Sequence, residues 1–246
     1  MLRLEPQDVT ISLGGEIGEV GGENSTEPEL RAFMDGFNSE FESRQSGAAG
    51  LSKISIQTGT SHGGIVLPDG SIAKVSVDFD TLRHLSKVAK EYGMGGAVQH
   101  GASTLPENMF SKFPEANALE VHLATGFQNI LYDRLPADFL QEIYSYLDEN
   151  HANERKEGQT DEQFHYKTRK RALGPFKRKL WDLEPDVVHE IETAWEDQFQ
   201  LLFDSLNVGG TRQLVERFIE PVGVEFELSP YIGDAAGEED TSDLAD

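Results

Sequence analysis

The sequence predicts an α/β fold built on a parallel sheet. Short apolar runs typical of buried strands alternate four times with amphipathic patterns of helical period, and this alternation favours parallel strands joined by crossover helices. Each of the four runs also leads into a loop that carries glycine and a polar side chain. In a parallel sheet such loops lie together at the carboxyl edge, where ligands bind. Four strand–helix units amount to half of a (β/α)8 barrel.

The four units follow one another along residues 1–150. The first strand is predicted at 8–13, where Val, Ile and Leu alternate with polar residues before the loop Gly14-Gly15-Glu16. A helix is predicted at 29–44, because Leu30, Phe33 and Phe37 share its apolar face. The same criteria predict strands at 54–58, 96–99 and 118–123, helices at 79–92 and 127–150, and a short helical stretch at 106–113.

The composition changes after residue 150. Residues 151–166 are polar and show no periodic apolar face, and residues 167–179 form a basic cluster. Amphipathic patterns then predict helices at 186–206 and 211–219, and the acidic end of the chain predicts disorder. We therefore expect a half-barrel at 1–150, a helical extension at 151–226 and an acidic disordered tail at 227–246. The basic cluster is either a solvated helix face or a surface for a second phosphate or an acidic neighbouring subunit.

Charge and composition exclude several classes of function. The formal net charge of −23 argues against a nucleic-acid partner, because phosphate backbones need a basic footprint. No apolar run approaches the roughly 20 residues of a membrane span, and no signal peptide is evident at the start, so we expect no membrane partner and a cytoplasmic location. The chain has no cysteine, so a metal site would need His, Asp or Glu ligands.

Two histidines suggest a metal site at the predicted carboxyl edge. His62 and His100 each follow an apolar run and directly precede a glycine. A strand that ends in an imidazole and then turns presents a metal ligand to the open face of a barrel. Glu16 ends the first predicted unit in the same way, so these three side chains can converge although they are far apart in sequence.

Glycine-rich loops beside these residues suggest an anion site. Gly63, Gly101 and the stretch Ala124-Thr125-Gly126 leave backbone N–H groups accessible to a phosphate. The hydroxyl groups of Ser103 and Thr125 can add donors. The alternative for each loop is a tight turn without a ligand.

These residues belong to four short motifs in the order Gly15-Glu16…Glu23, Gly59-Thr60-Ser61-His62-Gly63, His100-Gly101-Ala102-Ser103 and Leu123-Ala124-Thr125. The set resembles the class II, zinc-dependent aldolases that cleave fructose or tagatose bisphosphate. It is similar to that family's glutamate-bearing loop, two zinc-histidine motifs and a phosphate loop closest to the tagatose type. The resemblance covers about residues 8–150 and implies the C-terminal half of the barrel, strands 5–8.

The resemblance also implies roles. His62 and His100 would bind Zn²⁺, with Glu16 as a further ligand, and Glu23 would help to move a proton. Gly63, Gly101, Ser103, Ala124 and Thr125 would bind a phosphate of the sugar substrate. The implied reaction is reversible aldol cleavage of a phosphorylated ketose, with zinc polarising the substrate oxygen.

The chain also departs from the family's pattern. His122 stands where the family has asparagine, Glu120 where it has lysine, and Asn24 where an acidic residue is common. His122 is either a further contact to substrate or metal, or an ordinary polar residue. The family's first zinc histidine and its acid/base aspartate belong to the first half of the barrel, which this sequence does not contain. We therefore expect the chain to be part of a longer enzyme, to pair with an N-terminal half-barrel, or to form a homo-oligomer.

Two other functions stay open at this point. The chain can be a non-catalytic relative that binds a phosphosugar or serves as a scaffold, an alternative that Glu120 and His122 favour. It can also be a lyase or epimerase that uses the same site on a different sugar.

Overall fold

The computed structural model describes residues 11–18, 22–44, 49–59, 67 and 76–220. Within this part, four strands form one parallel sheet, and each strand pairs with the next along the chain. The predicted α/β fold with a parallel sheet is confirmed. The strands are β1 (Gly14–Glu16), β2 (Lys53–Ile56), β3 (Ala97–Gln99) and β4 (Glu120–Val121).

Helices connect the strands and form the rest of the described chain. None of the described helices is both long and apolar enough to cross a membrane. Short 3-10 turns occur at Glu107–Met109, Ala152–Glu154 and Arg169–Ala172. The α-helices are α1 (Glu27–Arg44), α2 (Phe79–Glu91), α3 (Lys112–Glu115), α4 (Thr125–Tyr132), α5 (Ala137–Asn150), α6 (Asp161–Thr168), α7 (Lys177–Trp181), α8 (Pro185–Ser205) and α9 (Arg212–Phe218).

The register of the sheet aligns four side chains in one row. Glu16 pairs with Ser55, Ser55 with Val98, and Val98 with Glu120. Because side chains alternate between the faces of a strand, these residues share one face. Ile54 points to the other face, in the apolar core that includes residues of α1 and α2. The sheet therefore has one apolar face under its helices and one face with a polar row.

Helix α2 shows how the sequence builds this core. The Asp78 carboxylate caps the helix by accepting hydrogen bonds from the backbone N–H groups of Asp80 and Thr81. Leu82 and Leu85 on its buried face are almost completely inaccessible to solvent. Burial of such a side chain contributes roughly 1.5–3 kcal/mol, so this face holds the helix against the sheet.

The first strand differs from the prediction. It begins at Gly14, whereas residues 11–13 are not in a strand and residues 8–10 lie outside the described residues. A Cβ on Gly15 would lie 2.8 Å from Leu51 Cδ1 and 3.0 Å from Phe33 Cε1. The absence of a side chain thus lets β1 pack closely here, although a glycine pair is more typical of a loop. Glu16 is consequently the last residue of a strand, not part of a loop.

The long helix predicted at 127–150 is two helices. Helix α4 ends at Tyr132 and α5 begins at Ala137, directly after Pro136. Proline has no N–H to donate to the preceding turn and restricts the residue before it to an extended conformation. The helix therefore stops and restarts in a new direction.

The segment after residue 150 is more ordered than its composition suggests. Although 151–166 lacks a periodic apolar face, helix α6 begins there with a reciprocal capping box between Thr160 and Gln163. Its Phe164 joins a second apolar core with Tyr132, Ile143 and other residues of α4, α5 and the following turns. The capping box and the burial of Phe164 therefore stabilise α6, although this helix has no amphipathic stripe.

The basic cluster at 167–179 is not uniformly solvated, which makes the solvated-face interpretation wrong for Arg169. Only 7% of Arg169 is exposed. Its guanidinium carbon lies 4.7 Å from the ring centroid of Tyr132 and 4.3 Å from that of Tyr166. Arg169 therefore packs against Tyr132, a residue of the second core.

Helix α8 of the predicted extension packs back on the rest of the chain. Leu202 lies in the first apolar core, together with residues of the sheet, α1 and α2. Trp195 Nε1 donates a hydrogen bond of 3.1 Å to the carbonyl oxygen of Phe127, in α4. The predicted acidic tail at 227–246 lies outside the described residues.

Candidate functional site

The carboxyl edge of the sheet brings Glu16, His100 and His122 together. Glu16 ends β1, and His100 and His122 directly follow β3 and β4. His122 is held there by its backbone N–H, which donates to the carbonyl oxygen of Gln99 at 2.9 Å. The edge therefore collects one acidic and two imidazole side chains from three different strands, as the parallel topology requires.

These side chains form a continuous chain of polar contacts. His100 Nδ1 lies 3.2 Å from Glu16 Oε1, and His100 Nε2 lies 2.9 Å from His122 Nδ1. His122 Nε2 in turn lies 2.9 Å from Glu120 Oε2. Lys53 is the last residue in this series of contacts. Its Nζ donates to both carboxylate oxygens of Glu120, at 2.8 and 2.9 Å.

Glu120 is held in its ionised form. Partial burial raises the pKa of its carboxyl, but the hydrogen bonds from Lys53 and His122 outweigh burial, and the net pKa lies below its usual value. The lysine expected at position 120 from the aldolase resemblance is replaced by this acid, and the cation of the pair instead comes from Lys53 on β2.

Ser55 lies in the middle of the polar row. It pairs with Glu16 on one side and Val98 on the other, and it is 6% exposed. Its Oγ has no hydrogen-bond partner among the described residues. A buried hydroxyl without a partner costs free energy.

A buried layer of polar residues supports His100 from behind. Thr58 Oγ1 donates to Gln99 Oε1 at 2.7 Å, and Gln99 Nε2 donates to the carbonyl oxygen of His100 at 2.6 Å. Gln57 Oε1 accepts from the Thr58 N–H at 2.8 Å. These bonds fix the backbone that carries the imidazole.

Sequence analysis did not single out Lys53, Gln57 or Gln99. A signal was present for the two glutamines, because each ends an apolar strand, in Ile54-Ser-Ile-Gln57 and in Ala97-Val-Gln99. A glutamine at the end of a buried strand must find buried partners. No local pattern indicates that Lys53 pairs with Glu120.

The two candidate phosphate loops touch each other. Ser103 Oγ accepts a hydrogen bond of 2.9 Å from the backbone N–H of Ala124. A Cβ on Gly126 would lie 3.1 Å from the carbonyl oxygen of Ser103, so glycine permits the close approach. Thr125 begins helix α4, whose first N–H groups lack intrahelical partners. Gly101 has a positive φ of 71°, a conformation that favours glycine.

Glu23 is exposed and is not brought into the chain of contacts around His100. The residues just after it are anchored: Asn24 Nδ2 donates to Asp78 Oδ2 at 3.0 Å, and Ser25 Oγ accepts from the Gln57 N–H at 2.9 Å. His62 and Gly63 lie outside the described residues.

Glu16 and His100 have the donor atoms that zinc prefers. Zinc binds imidazole nitrogen and carboxylate oxygen, and one ion can replace the proton that His100 shares with Glu16 or with His122. Within the described part of the chain, no three His, Asp or Glu side chains are grouped closely enough to hold a metal. A third protein ligand would have to come from elsewhere, and His62 is the candidate named by the sequence.

Comparisons with known proteins do not assign a family. No family model matches the chain. No curated protein matches it either. Among solved structures, the chain is similar to a candidate fructose-1,6-biphosphate aldolase from Coccidioides immitis, with a TM-score of 0.37 and 16% sequence identity. That match covers 70% of this chain and 55% of the other, so this chain spans about half the length of that protein. A likeness at this level does not establish function.

Proposed function

We propose that this chain is the C-terminal half of a (β/α)8 barrel and that its carboxyl edge serves reversible aldol cleavage of a phosphorylated ketose. The observation that supports this best is the contact of 3.2 Å between Glu16 Oε1 and His100 Nδ1. These donors come from β1 and β3 and meet across β2, at the edge where barrel enzymes bind their substrates. The motif resemblance supplies the reaction class.

Zn²⁺ is the proposed cofactor, with His100, Glu16 and His62 as its ligands. When bound, it would supply a Lewis acid for the carbonyl oxygen of the ketose. The buried amides behind His100 keep its ring in position. Glu23, which is exposed, is the residue proposed to move a proton.

The phosphate of the substrate is proposed to lie between the loops at Gly101–Ser103 and Ala124–Thr125. Helix α4 begins at Thr125, and helix N-termini favour anions. The hydroxyl group of Thr125 adds a donor there. Because these loops touch through Ser103 and Ala124, they can hold one phosphate group between them.

Zinc content tests the ligand assignment. In the native protein purified from its source cells, His100→Ala should remove most of the bound zinc and abolish aldol cleavage. His189→Ala is a matched control, because His189 is an exposed residue of α8 outside the site, and it should retain both properties. Unchanged zinc content in His100→Ala would refute the assignment of His100 as a ligand.

The mass of the native protein tests the half-barrel proposal. The sequence corresponds to 27.3 kDa. A substantially heavier chain would place the missing histidine and aspartate upstream in the same protein. A native chain of this mass would require a second copy or an N-terminal half-barrel to cover the sheet edges.

A non-catalytic phosphosugar-binding or scaffold protein is the second candidate. It is favoured by Glu120 and His122, which depart from the aldolase pattern. This candidate predicts that phosphorylated ketoses bind equally well with and without zinc and are not cleaved. Zinc-dependent cleavage would exclude it.

A further inference from the structure

A cavity in the helical part of the chain lies away from the carboxyl edge of the sheet. It has a volume of about 550 Å³ and is lined by residues of α4, α5, α6 and the turn after α6. This is within the range of pockets that bind small molecules, roughly 300–1,000 Å³. None of the residues assigned above to zinc, proton transfer or phosphate lines it.

Arg169 supplies a buried positive charge to this cavity. It is 7% exposed and lines the cavity wall. Asn129 Oδ1 accepts a hydrogen bond from its guanidinium, and the rings of Tyr132 and Tyr166 lie within stacking distance. Its partners among the described residues are thus the Asn129 amide, the Tyr144 phenol, with which it shares a hydrogen bond, and two aromatic rings, with no carboxylate in an ion pair.

A buried guanidinium without a counter-charge indicates an anionic ligand. Cation–π contacts with two tyrosines offset part of the cost of burial, but arginine has five N–H donors, and no carboxylate of the described residues forms an ion pair with it. A carboxylate matches the planar fork of the guanidinium with two parallel hydrogen bonds. The cavity provides the space for such a group next to Arg169.

The opposite charge stands at the rim of the same cavity. Asp133 and Glu162 are exposed cavity residues, and neither forms an ion pair with another described residue. Burial raises the pKa of the Tyr144 phenol; Arg169 lowers it and Asp133 raises it further, so both charges act on one ring of the cavity wall. A ligand with anionic groups alone would be repelled by this rim.

We infer that this cavity binds a small aromatic zwitterion of the α-amino-acid class. The carboxylate of the ligand pairs with Arg169, and its ammonium group faces Asp133 and Glu162. Its ring lies beside Tyr144 and Tyr166, which also line the cavity. The bound ligand would supply the charge that Arg169 lacks within the described chain.

Three matched probes test this assignment on the full chain by titration calorimetry. L-phenylalanine carries both charges, 3-phenylpropionate carries only the carboxylate, and 2-phenylethylamine carries only the ammonium. We expect L-phenylalanine to bind about tenfold more tightly than either analogue. Binding of the amine as tight as that of the amino acid would overturn the role of Arg169, and absence of binding by all three at millimolar concentration would overturn the proposal.

Two variants test the carboxylate-binding end and the ammonium-binding end of the cavity separately. Arg169→Gln should abolish binding of the amino acid and of 3-phenylpropionate. If that variant does not fold, Asp133→Asn decides, because the residue is exposed: it should weaken binding of L-phenylalanine severalfold and should not weaken binding of 3-phenylpropionate. Asp197→Asn makes the same charge change on α8, outside the cavity, and should have no effect. Equal affinity of Asp133→Asn and the parent chain for L-phenylalanine would contradict the proposal. This outcome does not depend on whether the proposed zinc site is correct.

Discussion

Lys53 and Glu120 form an ion pair that spans strand β3. Lys53 belongs to β2 and Glu120 to β4, yet Lys53 Nζ lies 2.8 and 2.9 Å from the two carboxylate oxygens. Val98 of β3 is the register partner of Glu120. The pair therefore joins two strands that are not neighbours in the sheet and neutralises the acid at position 120.

A double-mutant cycle should show coupling in this pair. We expect Lys53→Met and Glu120→Gln to be coupled by about 1 kcal/mol in the free energy of unfolding, because both side chains are partly shielded from solvent. Urea unfolding of the four proteins at neutral pH measures this value. The exposed Arg83–Asp80 pair of α2 is the control and should show a smaller coupling; equal values would contradict the shielding argument.

The stabilisation from Glu120 should also depend on pH. Its pKa in the folded protein lies below the usual 4.5, because bonds from Lys53 and His122 outweigh the effect of burial. Its stabilising contribution is therefore complete above pH 4.5 and is lost as pH falls through the folded value. The stability difference between the parent chain and Glu120→Gln should shrink over that interval. A constant difference from pH 6 to pH 3 would show that the pair does not hold the carboxylate ionised.

Asp78 should stabilise the N-terminus of α2, and this stabilisation should be lost at low pH, as for Glu120. Its pKa is lowered, chiefly by the backbone N–H and hydroxyl of Thr81. Asp78→Ala should reduce the free energy of unfolding by about 1 kcal/mol at neutral pH, with Asp78→Asn less affected because asparagine also caps helices. The loss should fall as pH drops below 3.8, the usual value for aspartate. Thermal denaturation of both variants at pH 7 and pH 3 measures this difference.

Two glycines should respond to alanine in opposite directions. Gly18 has a φ of +80°, and a Cβ there would lie 2.6 Å from Ser25 Oγ and 3.0 Å from Gln57 Cβ. Gly18→Ala should therefore destabilise the chain by about 1–3 kcal/mol. Gly36 lies within α1, with nothing within 4 Å of a Cβ, and Gly36→Ala should stabilise it by about 0.5–1 kcal/mol. Chemical denaturation gives both values, and a stabilising effect of Gly18→Ala would show that the backbone there is unstrained.

The proposed phosphate loops give a kinetic prediction. Ser103→Ala combined with Thr125→Val should raise KM for a phosphorylated ketose, because two hydroxyl groups near the proposed phosphate are lost. Ser103→Ala alone also frees the Ala124 N–H that the hydroxyl now satisfies, so the single variants should differ. Steady-state kinetics of the native enzyme measures these effects. An unchanged KM in the double variant would mean that the loops are only turns.

Much of the architecture follows from local patterns. Apolar spacing predicts α1, α2 and α8 to within a few residues, because a helix face repeats over neighbouring turns. The alternation of strands and helices also places Glu16 and His100 at one sheet edge, since parallel strands end on the same side. Errors occurred where one residue overrides a pattern: Pro136 divides a predicted helix, and Gly15 lets a glycine pair act as a strand.

The sequence by itself therefore determined the parallel α/β sheet and the placement of Glu16 and His100 at its carboxyl edge. Only the tertiary structure decided which polar side chains, distant in sequence, come into contact. Lys53 and Glu120 are 67 residues apart, and Arg169 and Asn129 are 40 apart. Contacts over such separations depend on strand register and helix packing, whereas helical and strand periods extend over only a few residues.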